Sequence, residues 1–252
     1  MVKAAIFDMG GTLEDITHTP EMNRNCGELL LACLKRNGIE LPETADELME
    51  ILEKRNCDYR EWSLDNNREL TPYEIWSQWY LEDRAIDYDR LRVIADVLAN
   101  IWERNFYKRT LRPDAAEMLN SLNNMSIRMG VISNTACLTQ VIEILHEYGI
   151  HEYFGPIYLS CVSGFRKPHT GMFLAAAADL EITPDEAVYV GDTVSRDVRG
   201  SRAAGYRASI RIDSKITQRS DQNRAKDGEE ADFVIASLSE IPGIIEKLNA
   251  TD

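Results

Sequence analysis

Residues 2–13 have the sequence VKAAIFDMGGTL, which is the clearest indication of the fold class. Residues 2–7 form a short, mainly apolar run directly before Asp8. Two glycines, Gly10 and Gly11, follow after Met9. An apolar run of this length, closed by glycines, predicts a buried β-strand that leads into a tight loop. Comparable runs recur at Met129–Ser133, Pro156–Cys161, Ala187–Val190, Ala208–Ile212 and Asp232–Ile235.

Helical patterns lie between these runs. They cover Asp114–Leu122, Leu138–Tyr148, Gly171–Leu180 and Val194–Ala204. Strands that alternate with helices predict a parallel sheet with helices on its faces. The expected fold class is therefore α/β, with a Rossmann-like parallel sheet as the core.

Residues 17–108 differ from the rest of the chain because they contain almost no strand pattern. The segments TADE at 44–47 and TPYE at 71–74 are typical of helix starts, and apolar residues follow the first of them at helical spacing. We therefore expect a helical domain over 17–108, inserted after the first strand. The α/β core would then consist of residues 1–16 and 109–252.

The composition restricts the possible classes of function. The 252 residues include 28 lysines and arginines against 42 aspartates and glutamates, which gives a net charge of −14 at pH 7. Such a surface repels nucleic acid, so no nucleic-acid partner is expected. The chain has no apolar run near the roughly 20 residues of a membrane helix and no signal-peptide pattern, so we expect a cytoplasmic protein without a membrane partner. The five scattered cysteines form no CxxC pair and indicate free thiols.

Several polar residues follow predicted strands at positions where ligands bind in open parallel sheets, beyond the carboxyl ends of the strands. They are Asp8, the pair Ser133 and Asn134, and Asp192, while Lys167 lies in a loop before a helix. Taken singly, Lys167 could be a solvated surface residue and Asp192 a helix N-terminal charge. Their shared placement favours a functional site.

Four segments of the chain resemble, in the same order, the four motifs of the haloacid dehalogenase superfamily. They are IFDMGGTL at 6–13, MGVISN at 129–134, FRKPHTGMF at 165–173 and VYVGDTVSRD at 188–197. The family's cap domain, inserted between its first and second motifs, would account for the helical segment. The resemblance implies a hydrolase, and first of all a phosphatase that acts on a small phosphorylated molecule.

The resemblance also implies a nucleophile and a metal site. Asp8 would attack phosphorus and give an aspartyl-phosphate, which water then hydrolyses. Asp8, Asp192 and the backbone carbonyl of Gly10 would bind Mg²⁺, and Asp197 would support the metal or its waters. Ligation by oxygen atoms alone suits this hard cation.

The phosphoryl group would be bound by residues close to these carboxylates. Lys167 would offset their negative charge and bind the phosphoryl oxygens, together with the hydroxyls of Ser133 and Thr12. Asn134 and the backbone of Gly11 would be further phosphate contacts, since a glycine lets backbone N–H groups approach the phosphate closely.

The chain departs from the superfamily's phosphatase pattern at Gly10. Phosphatases usually carry a second aspartate there, which protonates the leaving group, and such help is worth roughly 10²–10⁴-fold in rate. Glu14, Asp15 or a residue of the cap could replace it, or the substrate could have a good leaving group. If the missing acid limits the rate, an aspartate at position 10 is predicted to raise turnover on alkyl phosphates.

The same glycine leaves two alternatives open. One is a carbon–phosphorus or carbon–halogen hydrolase of the superfamily, and the former would use a cap lysine, for which Lys35, Lys54 and Lys108 are the candidates. Carbon–halogen enzymes need no Mg²⁺, so the pair Asp192 and Asp197 argues against them. The other alternative is a weakly active phosphate-binding module. Neither the particular substrate nor the oligomeric state follows from the sequence.

Overall fold

The computed structural model of the chain describes residues 1–214, 221, 224, 225 and 228–251. Within these residues the strands are, in chain order, β1 (Ala4–Phe7), β2 (Glu14–Thr17), β3 (Lys108–Leu111), β4 (Arg128–Ser133), β5 (Phe154–Leu159), β6 (Ala187–Gly191), β7 (Ala208–Ile212) and β8 (Phe233–Ile235). One six-stranded sheet has the order β5-β4-β1-β6-β7-β8, and all its neighbouring pairs are parallel. The predicted parallel α/β sheet is confirmed.

The central position of β1 explains its continuous apolar run. The side chains of Ala5 and Phe7 belong to the hydrophobic cluster on one face of the sheet, and those of Ala4 and Ile6 to the cluster on the other face. Successive side chains of a strand point to opposite faces, and both faces are covered here. A strand that is buried on both sides needs apolar residues at every position.

Helices connect the strands and cover the sheet. They are α1 (Pro20–Arg36), α2 (Ala45–Asn66), α3 (Pro72–Ile75), α4 (Tyr88–Asn105), α5 (Ala115–Asn124), α6 (Gln140–Glu147), α7 (Ser160–Ser163), α8 (Gly171–Asp179), α9 (Arg199–Ala203) and α10 (Ile241–Ala250), with π-helical segments at Trp76–Tyr80 and Val194–Val198 and 3₁₀ turns at His151–Tyr153, Pro184–Glu186 and Leu238–Glu240. No helix among the described residues is both long enough and apolar enough to span a membrane.

The helices α1, α2, α3 and α4 pack around a hydrophobic cluster of their own, in which Leu30 and Leu98 are completely buried. The two predicted helix starts at 44–47 and 71–74 both form capping boxes, which satisfy backbone N–H groups at the first helical turn. We call residues 17–108 the insertion; their status as a separate domain with these boundaries stays a prediction.

A short antiparallel ribbon of β2 and β3, which the sequence does not reveal, joins the insertion to the sheet. The chain therefore leaves for the helices after β2, and not directly after β1 as predicted. Each strand of the ribbon has four residues, EDIT and KRTL, with charged side chains among the apolar ones. Strands this short and polar lack the apolar run on which recognition of a strand depends.

Some predicted boundaries are also corrected. The strand predicted at Pro156–Cys161 begins two residues earlier as β5, and its last two residues belong to α7. β5 lies at the edge of the sheet, where a proline can occur inside a strand. The helix predicted at Val194–Ala204 is divided into a π-helical segment and α9. The polar segment 214–230, predicted to be a surface loop, lies largely outside the described residues.

Candidate active site

The predicted site residues meet at the carboxyl edge of the sheet. Asp8 follows β1, Ser133 ends β4, and Asp192 follows β6. These three strands are neighbours in the order β4-β1-β6, so their carboxyl ends lie side by side. The loop between α7 and α8 brings Lys167 to the same place, where its side chain bonds to Asp8.

Lys167 is buried at the centre of this site and is not a solvated surface residue. Its side chain is only 2% exposed, and its Nζ lies 2.6 Å from Oδ1 of Asp8 and 2.7 Å from Oδ1 of Asp197. The ammonium also donates to the carbonyl of Ile132 at 3.0 Å and to the hydroxyl of Tyr189 at 2.9 Å. Four oxygen atoms thus surround one buried cation, which fixes the lysine between the two carboxylates.

Asp8, Asp192 and Asp197 form a buried carboxylate cluster. Each offers one oxygen atom, and these atoms all lie within 4.8 Å of one another. Gly11 makes the close packing possible, because a Cβ at this position would lie 2.1 Å from Oδ2 of Asp192 and its φ is +86°. Buried carboxylates this close require cations. The oxygen-only donor set suits a hard divalent cation, so the cluster is able to hold a metal.

The two carboxylates beside Lys167 titrate differently. Burial raises the pKa of Asp8, and this effect exceeds the opposing attraction of Lys167. Burial also acts on Asp197, but Lys167 and then Arg196 outweigh it, so the pKa of Asp197 is lowered. Burial would lower the pKa of Lys167, yet Asp197 and Asp8 raise it, so the lysine stays charged. Additional positive charge at the cluster would favour the ionised form of Asp8.

Asn134 and Thr12 make contacts other than the predicted phosphate contacts. The side chain of Asn134 accepts a bond from the backbone N–H of Lys167 at 2.9 Å and donates to the backbone carbonyl of Lys167 at 3.2 Å. Thr12 is completely buried, and its hydroxyl donates to Oδ2 of Asp8 at 3.4 Å. Both side chains thus hold the two central residues of the site in place.

A cavity of about 260 Å³ lies over the site, between the core and the insertion. Asp8, Ser133 and Lys167 line it from the core, while Asn56 and Arg60 of α2 line it from the insertion. Of the predicted site residues, Gly10 and Asn134 also border the cavity. Gly11, Thr12, Asp192 and Asp197 are not among the described residues that border it.

Arg196 is a residue of the site that the sequence interpretation missed. It is half-buried, borders the cavity, and donates through Nε to the hydroxyl of Thr193 at 3.3 Å. Burial would lower the pKa of Arg196, but nearby carboxylates, Asp192 foremost, keep it raised. Arg196 is therefore a second cation beside the carboxylate cluster. The sequence could have indicated Arg196, because this residue lies between the two aspartates of the fourth motif.

A buried link joins the insertion to the loop that carries Lys167. The carboxylate of Glu69, a residue only 2% exposed, forms an ion pair with Arg166 and accepts bonds from the hydroxyls of Ser160, at 2.8 Å, and Tyr59. Next to this ion pair, the backbone N–H of Arg166 donates to the carbonyl of Asn67 at 3.1 Å. Nothing in the sequence around Glu69 marks it, because its partners are distant along the chain.

The surroundings of Gly10 differ from a conventional acid–base site. A Cβ on this glycine would lie 2.9 Å from Cδ1 of Ile16, 3.5 Å from Nη1 of Arg109 and 3.9 Å from Oε1 of Glu14. Arg109 is ion-paired at 2.6 Å with Glu14 and at 2.6 Å with Glu103. Glu14 is completely buried, whereas Glu103 borders the cavity. The side chains of Ile16, Arg109 and Glu14 thus occupy the region next to the missing side chain.

The other candidates named from the sequence lie elsewhere. Asp15, a suggested substitute acid, is exposed and pairs with Arg112 at 3.3 Å. The three lysines considered for a carbon–phosphorus hydrolase, Lys35, Lys54 and Lys108, are exposed and do not border this cavity. No lysine of the insertion is therefore positioned to react with a ligand over Asp8.

These features agree with the comparison to known families. A sequence model described as haloacid dehalogenase-like hydrolase matches residues 2–205, so the chain belongs to this family. The predicted superfamily and the prediction of a hydrolase are confirmed. A protein of Methanopyrus kandleri named glyceraldehyde 3-phosphate phosphatase is 26% identical, over 98% of this chain and 99% of that protein.

Solved structures of the same superfamily share the fold. A 2-haloacid dehalogenase from Pseudomonas syringae pv. Tomato DC3000 has a TM-score of 0.66 and 24% identity, over 98% of this chain and 100% of that one. A phosphatase of the superfamily from Thermococcus onnurineus has a TM-score of 0.60 and 22% identity, over 97% and 98% of the two chains. Because both identities are low, these likenesses establish the architecture and not the reaction.

Proposed function

We propose that the protein is a Mg²⁺-dependent phosphatase that hydrolyses a small phosphorylated metabolite through an aspartyl-phosphate on Asp8. One observation carries the proposal: the carboxylate of Asp8 lies at the floor of a cavity, 2.6 Å from a buried ammonium and beside two further carboxylates. Phosphoryl transfer depends mainly on positioning and on neutralising charge, and this arrangement supplies both. The name of the Methanopyrus kandleri relative supports a phosphatase.

In the first step an oxygen of Asp8 would bond to phosphorus, and the bond from phosphorus to the ester oxygen would break. The leaving group would depart as an alkoxide, which takes a proton from water and becomes the alcohol. Lys167, together with the hydroxyl of Ser133, would bind the oxygens of the transferring group. Water would then attack the aspartyl-phosphate, which releases inorganic phosphate and restores Asp8.

The carboxylate cluster would hold the metal, with Asp8, Asp192 and the carbonyl of Gly10 as ligands and Asp197 next to them. Mg²⁺ binds oxygen atoms and retains several waters. When bound, it would supply positive charge for the phosphoryl oxygens. The protein residues position the carboxylates that would hold the metal. Gly11 allows the close approach of Asp192, and Lys167 bonds to both Asp197 and Asp8.

Proton transfer to the leaving group would be poorly assisted in this enzyme. Glu14 is completely buried, does not border the cavity, and is ion-paired with Arg109. Glu103 reaches the cavity but is held by the same arginine. We therefore propose that leaving groups with a low pKa are favoured, because they need little help from an acid.

The alternatives have less support in the structure. A carbon–phosphorus hydrolase would need a lysine of the insertion at the cavity, and the three candidates do not border it. A carbon–halogen hydrolase would not need the buried pair of Asp192 and Asp197, and the low identity to the dehalogenase supports a shared fold only. The other alternative, a phosphate-binding module, would be indicated if the protein binds phosphate and shows no turnover.

The cavity volume of about 260 Å³ suits a small-molecule substrate. The net charge of −14 further supports a small-molecule substrate, not nucleic acid, and we propose a cytoplasmic location for the enzyme.

Hydrolysis of p-nitrophenyl phosphate, with and without Mg²⁺, tests the proposal. We expect release of phosphate that requires Mg²⁺ and falls more than about a thousandfold in Asp8→Asn, because this variant lacks the nucleophile. Asp58→Asn, at an exposed position of α2, is the matched control and should keep its activity. Activity that survives in Asp8→Asn would exclude the aspartyl-phosphate route. Phosphate binding without any turnover would support the binding module instead.

A further inference from the structure

Asn56 and Arg60 border the cavity with hydrogen-bond donors that have no acceptor among the residues that the structure describes. Both belong to α2 and line the cavity opposite the core. They are four residues apart, so their side chains lie on one face of the helix, one turn from each other. Nothing in the proposed phosphoryl transfer requires either of them.

Arg60 differs from the other cations around the cavity. Arg109 is paired with Glu14 and Glu103, and Arg166 with Glu69. Among the residues that the structure describes, none forms a hydrogen bond or an ion pair with Arg60. Arg60 is half-buried, and no described carboxylate at ion-pair distance offsets the charge of its guanidinium.

The orientation of Asn56 is fixed by a neighbour in the insertion. The hydroxyl of Tyr80 donates to Oδ1 of Asn56 at 2.9 Å. With its oxygen bonded to Tyr80, Asn56 can offer its NH₂ group to a ligand as a donor. Within the described part of the chain this NH₂ group has no acceptor. Arg55, the residue before it, points to a different region and bonds to the carbonyl of Tyr80 at 2.7 Å.

We propose that Asn56 and Arg60 bind a carboxylate of the substrate, so that the substrate is a small phosphorylated carboxylic acid. A guanidinium binds the two oxygens of a carboxylate through parallel N–H groups, and the nearby amide adds a third donor. The phosphoryl group would lie over Asp8 and Lys167, and the carboxylate would lie at the other wall of the cavity. This inference rests on the proposed phosphatase function, which places the phosphoryl group at Asp8.

A matched pair of substrates tests the inference. 3-Phosphoglycerate and glyceraldehyde 3-phosphate have the same carbon skeleton and phosphate, and only the acid has a carboxylate at the far end. We expect Arg60→Gln to lower the ratio of kcat/KM for the acid to kcat/KM for the aldehyde by about 10- to 100-fold, which is typical for lost hydrogen bonds to a charged group. Arg60→Lys should retain part of this ratio because it keeps the positive charge.

Lys54→Gln is the control for the loss of one positive charge on α2. Lys54 is exposed, lies on the same helix, and does not border the cavity, so its removal should leave the ratio unchanged. Equal losses for both substrates in Arg60→Gln would overturn the inference, because the arginine would then act on folding or on the phosphate. An unchanged ratio would also overturn it.

A binding measurement separates this inference from the proposed function. Calorimetric titration of the Asp8→Asn protein with 3-phosphoglycerate and with glyceraldehyde 3-phosphate does not require turnover. Weaker binding of the acid alone when Arg60→Gln is added would support the carboxylate site, even if the wild type hydrolyses neither compound and the phosphatase proposal fails. Equal affinities of the acid with and without Arg60 would contradict the carboxylate site, even if the enzyme is an active phosphatase.

Discussion

Replacement of Lys167 by methionine would test whether this residue compensates the charge of the buried carboxylates. The ammonium is 2% exposed and contacts Asp8 at 2.6 Å and Asp197 at 2.7 Å. Its loss would leave two buried carboxylates without their shared cation. Removal of one partner from a buried ion pair costs about 3–5 kcal/mol, so we expect Lys167→Met to lower the free energy of unfolding by about this amount.

The loss of stability in Lys167→Met should be smaller at low pH than at high pH. Burial already raises the pKa of Asp8, and Lys167 is the strongest of the groups that oppose this rise. Without the lysine, Asp8 binds a proton more strongly in the folded chain than in the unfolded chain. Such a group stabilises the fold at low pH, and this stabilisation is lost as the pH rises through its folded-state pKa. The gap between wild type and variant should therefore be smaller at pH 5 than at pH 8.

Urea unfolding followed by far-ultraviolet circular dichroism measures these differences. Tryptophan fluorescence is less suitable, since all four tryptophans lie in the insertion and Lys167 lies in the core. Lys3→Met is the matched control, because the ion pair of Lys3 with Glu186 is on the surface and its lysine is 51% exposed. Exposed pairs contribute about 0–1 kcal/mol. A loss in Lys167→Met no larger than in Lys3→Met would refute the charge-compensation argument.

Two further predictions concern the surroundings of the site. Glu69→Gln should lower the free energy of unfolding by about 3–5 kcal/mol, because Arg166 keeps a buried charge without its partner. The control Glu61→Gln, at an exposed position of α2, should change this free energy by less than about 0.5 kcal/mol. Urea unfolding measures both variants, and equal effects would contradict a stabilising role of the ion pair between Glu69 and Arg166. Gly10→Asp should raise kcat on alkyl phosphates by less than about threefold, because Arg109 would hold the new carboxylate in its ionised form and Ile16 would have to shift to admit it. Steady-state kinetics on an alkyl phosphate measure this, and a tenfold rise would instead support the view that the missing acid limits the rate.

The elements that depend on local sequence were predictable. The strands β1, β6 and β7 are buried apolar runs bounded by polar residues, and their positions agree with the predictions to within two residues at each end. The convergence of Asp8 with Asp192 followed from the parallel sheet, because the ends of neighbouring strands meet at one edge. Asp8 and Lys167 were predicted to lie close together, and their distance of 2.6 Å is consistent with this.

The parts that depend on contacts between distant residues could not be predicted in this way. Glu69 meets Arg166 across 97 positions of the chain, and no local pattern indicates such a pair. Arg60 looks like any charged residue on a helix, and only the structure shows that it borders the cavity without a partner among the described residues. The contacts of Asn134 with the backbone of Lys167 likewise depend on how two loops pack.

The balance of charge around Asp8 connects the metal to the attraction of a substrate. Three carboxylates of the cluster face two cationic side chains, Lys167 and Arg196, so the ionised site has one negative charge in excess. A phosphate dianion would be repelled by that excess and by the net charge of −14. A divalent cation in the cluster would reverse the local sign and would also favour the ionised form of Asp8, which burial opposes. The requirement for Mg²⁺ in p-nitrophenyl phosphate hydrolysis is therefore also a test of this charge balance.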